Sequence, residues 1–212
     1  MKAWKLAVCF TFLAAFSSLG FVQALDPIAI LSPSDVPQFS NGFGSSVAIS
    51  GDYLVVGAYA DPWYNGDHTG AAYVFRRQGR SWIEQAKLVP PDLVWHAQLG
   101  LSVGIDGDVI VAGAPKWEPT TSCGSRDVDA GGAYVFRRDD RGTPDDPTDD
   151  TWAQEAKLEA PNAQAAERFA MTLAISGDVI VVSAECAPGA EVYRWDPKAP
   201  QRWVHEASLT NP

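Results

Sequence analysis

The sequence is poor in several features that would point to particular classes of protein. No basic cluster is larger than an arginine pair, and the formal net charge is −10, with a pI near 4.6. Because phosphate backbones are bound by clustered lysine and arginine, nucleic acid is a poor candidate partner. The 3 histidines, His68, His96 and His205, are too far apart to indicate a local zinc site.

Long hydrophobic runs are also lacking, apart from one near the start of the chain. Lys2 and Lys5 precede an apolar run over residues 6–16, which is shorter than the roughly 20 residues that span a bilayer. Small side chains before Leu25 suit cleavage at that point. We therefore predict a secretory signal peptide over residues 1–24, with a secreted or cell-surface location and no membrane span after its removal. A retained membrane anchor is the less favoured alternative.

Cysteine is scarce as well, with 3 residues in the whole chain. Cys9 lies in the predicted signal peptide, which leaves Cys123 and Cys186. An even number of cysteines in an oxidising compartment favours a disulfide. We predict a bond between Cys123 and Cys186, because both lie in loops at equivalent places of adjacent repeats; two separate thiols are the alternative.

The sequence is rich in turn-forming residues, with 18 glycines and 15 prolines, and it contains a block that occurs three times. The copies are FGSSVAISGDYLVVGA from Phe43, LGLSVGIDGDVIVAGA from Leu99 and FAMTLAISGDVIVVSA from Phe169. A second block follows each copy, at residues 72–77, 133–138 and 190–195. A third block then opens with Trp82, Trp152 or Trp203, whose recurrence indicates a structural role.

Each unit predicts four short antiparallel strands. The glycine of Ser50-Gly51-Asp52 permits the positive φ of a tight hairpin, and the second strand is apolar on both faces, as expected between two sheets. Strict alternation in the fourth strand places Trp82, Glu84, Ala86 and Leu88 on one face. Distances between blocks vary while the blocks keep their length, which is typical of loops on a repeated scaffold. Such units are the blades of β-propellers.

Phe-Gly at 43–44, Gly-Ala at 57–58, Gly-Ala-Pro at 113–115 and Gly-Ala-Tyr-Val-Phe at 132–136 resemble the FG-GAP repeat of integrin alpha-chain propellers and many secreted proteins. The resemblance covers nearly the whole mature chain. It implies an all-β fold of three four-stranded antiparallel propeller blades and an incomplete ring. The expected divisions are an outer strand of a neighbouring blade at 25–37, then blades at 38–92, 93–162 and 163–212. Because family members are expected to have seven blades, a fragment is favoured over an open arc or a half-ring that closes by oligomerising.

Three motifs that suggest chemistry have plainer explanations. The Ser-Gly-Asp and Asp-Gly-Asp turns are too short for the 6–8 oxygen ligands of calcium, so the calcium of integrin-type repeats is not expected here. No cofactor is predicted. The six aspartates in the insertion at residues 139–150 favour a solvated loop over a cation site. The Gly-x-Ser-x-Gly at 100–104 is a copy of the repeat that leads into a strand, whereas a hydrolase elbow leads into a helix.

The loops between the second and third strands carry aromatic and acidic residues suited to recognition. The predicted ligand-binding residues are Asp61, Trp63, Tyr64, Asp67, Trp117 and Asp129; burial of the two tryptophans between blades is an equally open alternative. We predict a non-catalytic binding or adhesion module for a protein or carbohydrate. The alternatives are a structural part or fragment of a larger extracellular protein and, less favoured, a glycosidase or lyase fragment. Self-association through open blade faces is a further expectation.

Overall fold

The computed structural model contains three four-stranded antiparallel sheets, and no helix is present among the residues that it describes. Those residues are 29–35, 41–62, 69–93, 96–115, 131–161, 168–184 and 189–210. The strands of blade 1 are β1 (Phe43–Ser50), β2 (Tyr53–Ala58), β3 (Ala71–Gln78) and β4 (Ser81–Leu88). The strands of blade 2 are β5 (Ser102–Asp106), β6 (Val109–Ala114), β7 (Gly132–Asp139) and β8 (Thr151–Leu158). The strands of blade 3 are β9 (Phe169–Ser176), β10 (Val179–Ala184), β11 (Gly189–Trp195) and β12 (Trp203–Thr210).

The all-β prediction of three four-stranded antiparallel blades is confirmed. The boundaries 38–92, 93–162 and 163–212 stay predictions. The predicted signal peptide lies outside the described residues. Within them, no helix has the length and apolar character needed to cross a membrane.

Strands in each blade are hydrogen-bonded in sequence order, so every blade is a simple up-and-down meander. The first strands of the three blades, β1, β5 and β9, contact one another in turn. These strands are therefore innermost, and β4, β8 and β12 are outermost. We call the edge with the Gly-Asp turns the turn side, and the edge with the β2–β3-type loops the loop side. Parallel bridges Gly70–Leu99 and Gly131–Phe169 join successive blades on the loop side.

Two of the three buried apolar clusters of the described residues are made between blades, and the third lies on the outer face of blade 1. One buried cluster joins Tyr53 and Val55 of blade 1 to Ile105 and Ile110 of blade 2. A second joins Val111 of blade 2 to blade 3, where Ile180 and Val182 are fully buried. Burial on both faces explains why the second strands of blades 1 and 2 have no polar alternation.

The repeated Gly-Ala brings successive blades into close contact. A Cβ added to Gly57 would lie 1.9 Å from the carbonyl oxygen of Gly100 in the next blade, and one on Gly113 would lie 2.4 Å from that of Ala170. Hydroxyls bind the same carbonyls, since Ser46 donates to Gly100 (2.7 Å) and Ser102 to Ala170 (2.8 Å). Ser102, the serine of Gly-x-Ser-x-Gly, therefore lies in a strand and serves blade packing.

The outermost strands differ from the predicted alternation. In β4, Ala86 pairs with Val74 and Glu84 pairs with Phe75, so Gln85 is an extra, bulged residue. Glu84 and Ala86 therefore lie on opposite faces, and the prediction that they share one is wrong. The same register shift leaves Glu155 unpaired in β8 and Glu206 unpaired in β12. A bulge inserts one residue and re-aims its side chain, a change that strict alternation does not reveal.

Candidate functional site

Most of the predicted binding residues lie outside the described residues. These are Trp63, Tyr64, Asp67, Trp117 and Asp129, together with Cys123 and Cys186. The disulfide and the aromatic ligand contacts therefore stay predictions. Asp61 is described, and it lies at the point where the chain leaves β2 for the loop of blade 1.

The base of this loop is closed by the backbone. The Asp61 amide donates to the carbonyl of Ala58 (3.0 Å), and the Gly70 amide donates to the carbonyl of Asp61 (3.1 Å). Gly70 has a φ of +83°, and a Cβ there would lie 2.3 Å from the Leu99 carbonyl oxygen, so both its conformation and its space favour glycine. The two ends of the loop are thus held together next to blade 2.

The Asp61 side chain is only 1% exposed and binds groups of its own chain. Its carboxylate accepts hydrogen bonds from the Tyr73 hydroxyl (2.6 Å) and from the Lys87 ammonium (2.8 Å). Lys87 also binds Asp35 (2.8 Å), and the Tyr73 hydroxyl lies 2.9 Å from the same Asp35 carboxylate. We call Asp35, Asp61, Tyr73 and Lys87 the loop-base cluster. In this arrangement Asp61 supports the loop from inside.

Burial and bound partners shift the pKa values in the loop-base cluster. Burial raises the pKa of Tyr73, and its hydrogen bonds to Asp61 and Asp35 raise it further. Burial lowers the pKa of Lys87, but the hydrogen bonds to both carboxylates outweigh that effect and raise it overall. Burial raises the pKa of Asp35, but the hydrogen bonds from Lys87 and Tyr73 outweigh that effect and lower the pKa below its usual range. Near neutral pH, Lys87 and Asp35 therefore stay charged and Tyr73 stays protonated.

Blade 2 contains an equivalent arrangement in weaker form. Lys157 lies 5.6 Å from the ring centroid of Tyr134, as Lys87 lies 5.2 Å from that of Tyr73. Its ammonium is 3.8 Å from Asp92, a residue of the segment that follows blade 1. Residues 29–35 form no strand, and Asp35 occupies on blade 1 the position that Asp92 occupies on blade 2. The described part of the predicted strand 25–37 thus packs like a blade-to-blade connection.

Blade 3 has Glu191 at the position of the tyrosine and Ser208 at that of the lysine. With His205 they resemble a hydrolytic triad only in composition. Both His205 Nε2 and the Ser208 hydroxyl contact the same Glu191 oxygen, each at 2.6 Å. The serine hydroxyl donates to the carboxylate and lies 3.4 Å from the imidazole. A nucleophilic triad needs the serine to donate to the histidine and the acid to hold the other ring nitrogen. The three residues therefore form a surface hydrogen-bond cluster and not a nucleophilic triad.

On the turn side, the repeated aspartates bind arginines at the end of the third strand. Asp52 pairs with Arg77, Asp108 with Arg138, and Asp178 with Arg194 (2.9 Å). Each of these ion pairs joins the turn between the first and second strands to the end of the third strand.

Asp150 is a residue whose role sequence reasoning missed. It ends the acidic insertion at 139–150, which was predicted to be a solvated loop, but its side chain is buried between blades 1 and 2. It accepts hydrogen bonds from Arg138 (3.0 Å) and from the Tyr53 hydroxyl. Burial and the bond to Asp150 raise the pKa of Tyr53. Its position directly before β8, two residues from the Trp152 that pairs with Arg138, was the available clue.

The other described aspartates of this insertion shape its turns. Asp139 and Asp140 accept backbone amides two residues further on, from Arg141 and Gly142. Thr143 donates to Asp149 (2.8 Å). Among the residues that the structure describes, no group of three histidine, cysteine, aspartate or glutamate side chains is placed to hold a metal ion.

Comparisons with known proteins agree with this architecture. A family model described as FG-GAP repeat matches residues 27–75, 82–136 and 152–191. A search of curated protein sequences found no match. The structure is similar to that of the periplasmic gluconolactonase PpgL of Pseudomonas aeruginosa, with a TM-score of 0.52 and 14% identity over 89% of this chain. The match covers 48% of the gluconolactonase, so this chain spans about half of that protein's length. At this identity the likeness concerns the fold alone.

Proposed function

Because the chain belongs to the FG-GAP repeat family, we propose that it is a secreted or cell-surface binding module that acts without covalent chemistry. Its ligand is a protein or a carbohydrate, and the contact surface is the loop side of blades 1 and 2. No cofactor takes part in this binding.

The observation that carries the proposal is the buried support beneath the blade 1 loop. Recognition residues commonly lie on loops that a rigid scaffold positions. Here the loop leaves the sheet at Asp61 and returns at Gly70, and both ends are tied by backbone hydrogen bonds. Within the loop-base cluster, the Asp61 carboxylate is held by a short hydrogen bond from Tyr73 and a charged one from Lys87. A fixed base lowers the part of the entropic cost of binding that comes from ordering the two ends of the loop.

The proposed contact residues extend from that base. Trp63, Tyr64 and Asp67 follow Asp61 in blade 1, and Trp117 and Asp129 occupy the equivalent connection of blade 2. Tryptophan and tyrosine provide rigid amphipathic area, and the carboxylates orient a polar or cationic ligand. In this proposal Asp61 acts through the loop conformation instead of touching the ligand.

Glycan and peptide arrays, run with and without chelator, test the proposal. Trp63→Ala and Trp117→Ala are each expected to weaken binding by roughly thirtyfold, the effect of losing a buried aromatic hot spot. Trp195→Phe is the matched control, because this tryptophan lies at the turn-side end of β11. Loss of all binding in chelator, or binding unchanged in both loop variants, contradicts the proposal.

A carbohydrate-active enzyme is the second candidate. One observation favours it, namely that a solved structure with a similar fold is that of an enzyme, a gluconolactonase. Hydrolysis of gluconolactone by the purified chain, followed as proton release, discriminates between the two. Turnover that survives Trp63→Ala and Trp117→Ala favours the enzyme and a site away from the proposed loops.

A further inference from the structure

The two interfaces between described blades use the same polar contacts. In each, a turn glycine of the following blade donates its amide to a side chain of the preceding blade. In each, a serine of the preceding blade binds a carbonyl of the following one. In each, a tryptophan of the following blade donates to the bulged residue of the preceding blade. The contacts are Gly107 to Ser50 (3.1 Å) and Gly177 to Asp106 (2.6 Å), Ser46 to Gly100 and Ser102 to Ala170, and Trp152 to Gln85 (3.3 Å) and Trp203 to Glu155 (2.9 Å).

The outer face of blade 1 presents the receiving half of this interface. Gly51, Gly44 and Trp82 stand at the positions of Gly107, Gly100 and Trp152 in blade 2. Part of the apolar surface is open as well, while Val56, Tyr73 and Phe75 on the same face are already buried by groups of their own chain. Ile49 is 61% exposed, whereas its equivalent Ile105 is 7% exposed under blade 1. Val47, beside Ile49 on the same face of β1, is also exposed.

The outer face of blade 3 presents the other half. Its polar groups are Ser176, Thr172 and Glu206, which stand at the positions of Ser50, Ser46 and Gln85 in blade 1. All three retain the hydrogen-bonding ability of the residues that they replace. Val181 forms the apolar centre and is half-buried, whereas its equivalents Val55 and Val111 are fully buried between blades.

We propose that two copies of this chain associate head to tail, with the outer face of blade 3 of one copy packed on the outer face of blade 1 of the other. Formed in both directions, this contact gives a two-fold dimer in which the six described blades of the two copies form a ring, within the range of 4 to 8 found in propellers. Trp82 of one copy then donates to Glu206 of the other, and Gly51 donates to Ser176.

Two features of the chain weaken this association and make it tunable. Ser183 stands at the position of Gly57 and Gly113, so its Cβ meets the incoming Gly44 carbonyl where the internal interfaces have glycine. Residues 31–35 also lie over the outer half of blade 1, and the end of the incoming β12 must displace them. Ser34 and Asp35 hold this segment through Glu84 and Lys87.

Sedimentation velocity of the purified chain over a dilution series tests the proposal. Ile49→Asp and Val181→Asp should each weaken self-association by about a hundredfold or more, because each buries an unpaired carboxylate in the contact. An equal mixture of the two variants should associate more tightly than either alone, since one intact interface forms between them. Ser183→Gly should strengthen the dimer, and Asp35→Ala should do so too by releasing residues 31–35.

The matched control is Ile83→Asp, because Ile83 is exposed in β4 of the same blade but pairs with Arg76, on the face opposite Ile49. It should leave the dimer intact. Recovery in the mixture also shows that both aspartate variants are folded. A chain that is monomeric at every concentration overturns the proposal. A dimer that persists in Val181→Asp alone overturns it as well, because that result indicates a face-to-face contact of blade 1.

Discussion

Replacing Asp61 by alanine tests whether this residue is a buried support of the blade 1 loop. The change removes three hydrogen bonds from a carboxylate that is 1% exposed, those from Tyr73 and Lys87 and a longer one from Asn41 (3.4 Å). Breaking a buried ion pair by removing one partner costs about 3–5 kcal/mol. The lower end of that range applies here, because Asp35 still neutralises Lys87. We expect a loss of about 3 kcal/mol in the free energy of unfolding.

The matched variant is Asp35→Ala. Asp35 binds the same lysine and tyrosine, but its side chain is 47% exposed, so solvent screens the interaction. Its loss should cost about 1 kcal/mol or less. The two variants remove the same chemical group from the same cluster, and burial alone separates their predicted effects.

Denaturant unfolding followed by tryptophan fluorescence is the assay, with the shift in midpoint at unchanged slope as the readout. For a domain of this size a loss of 3 kcal/mol lowers the thermal midpoint by about 6–12 °C. Equal midpoints for the two variants would refute the reasoning. So would a loss of ligand binding in Asp61→Ala without any loss of stability, since that outcome makes Asp61 a contact residue.

Three further predictions concern charge and the contacts between blades. Asp35 and Glu155 have lowered pKa values in the folded chain despite their burial, through Lys87 and Tyr73 for the first and Arg137 and Trp203 for the second. The stabilisation that these two carboxylates contribute is fully present above their ordinary pKa values of 3.8 and 4.5, and it is lost as the pH falls through their lower pKa values in the folded chain. The denaturation midpoint should therefore decrease in acid. The decrease should be smaller in Arg137→Met. Glu155→Gln should keep the contact to Trp203, as Gln85 does with Trp152, and cost less than Glu155→Ala in the same assay. Asp150→Ala should destabilise by about 3 kcal/mol, whereas Asp146→Ala in the same insertion should be nearly neutral.

Repetition made most of the fold predictable from the sequence. Three copies of one block defined the strands, the turns and the buried second strand without reference to any structure, because the period is visible in the letters. The bulges at Gln85, Glu155 and Glu206 were not predictable, since one extra residue leaves the block length unchanged. Register depends on pairing with the neighbouring strand, and that information is not local.

The candidate site was less predictable, for a reason that Asp61 and Asp150 share. Both are aspartates in loops full of polar residues, and both were grouped with their exposed neighbours. Each is buried because a tyrosine and a basic residue from elsewhere in the chain surround it, Tyr73 and Lys87 for Asp61, and Tyr53 and Arg138 for Asp150. The composition of a loop indicates its average exposure, whereas partners distant in sequence decide the exposure of one side chain.

The bulged residues have a consequence for how such a chain can lengthen. Each blade carries a tryptophan donor for the blade before it and a bulged acceptor for the blade after it, so blade 2 is a complete module with both connectors. Suppose that a duplicated copy of residues 93–162 is inserted after blade 2. The copy of Trp152 would then donate to the original Glu155, and the copy of Glu155 would accept from Trp203. Growth by tandem duplication therefore needs no compensating mutation at these contacts, and chains of different blade number become accessible in single genetic steps.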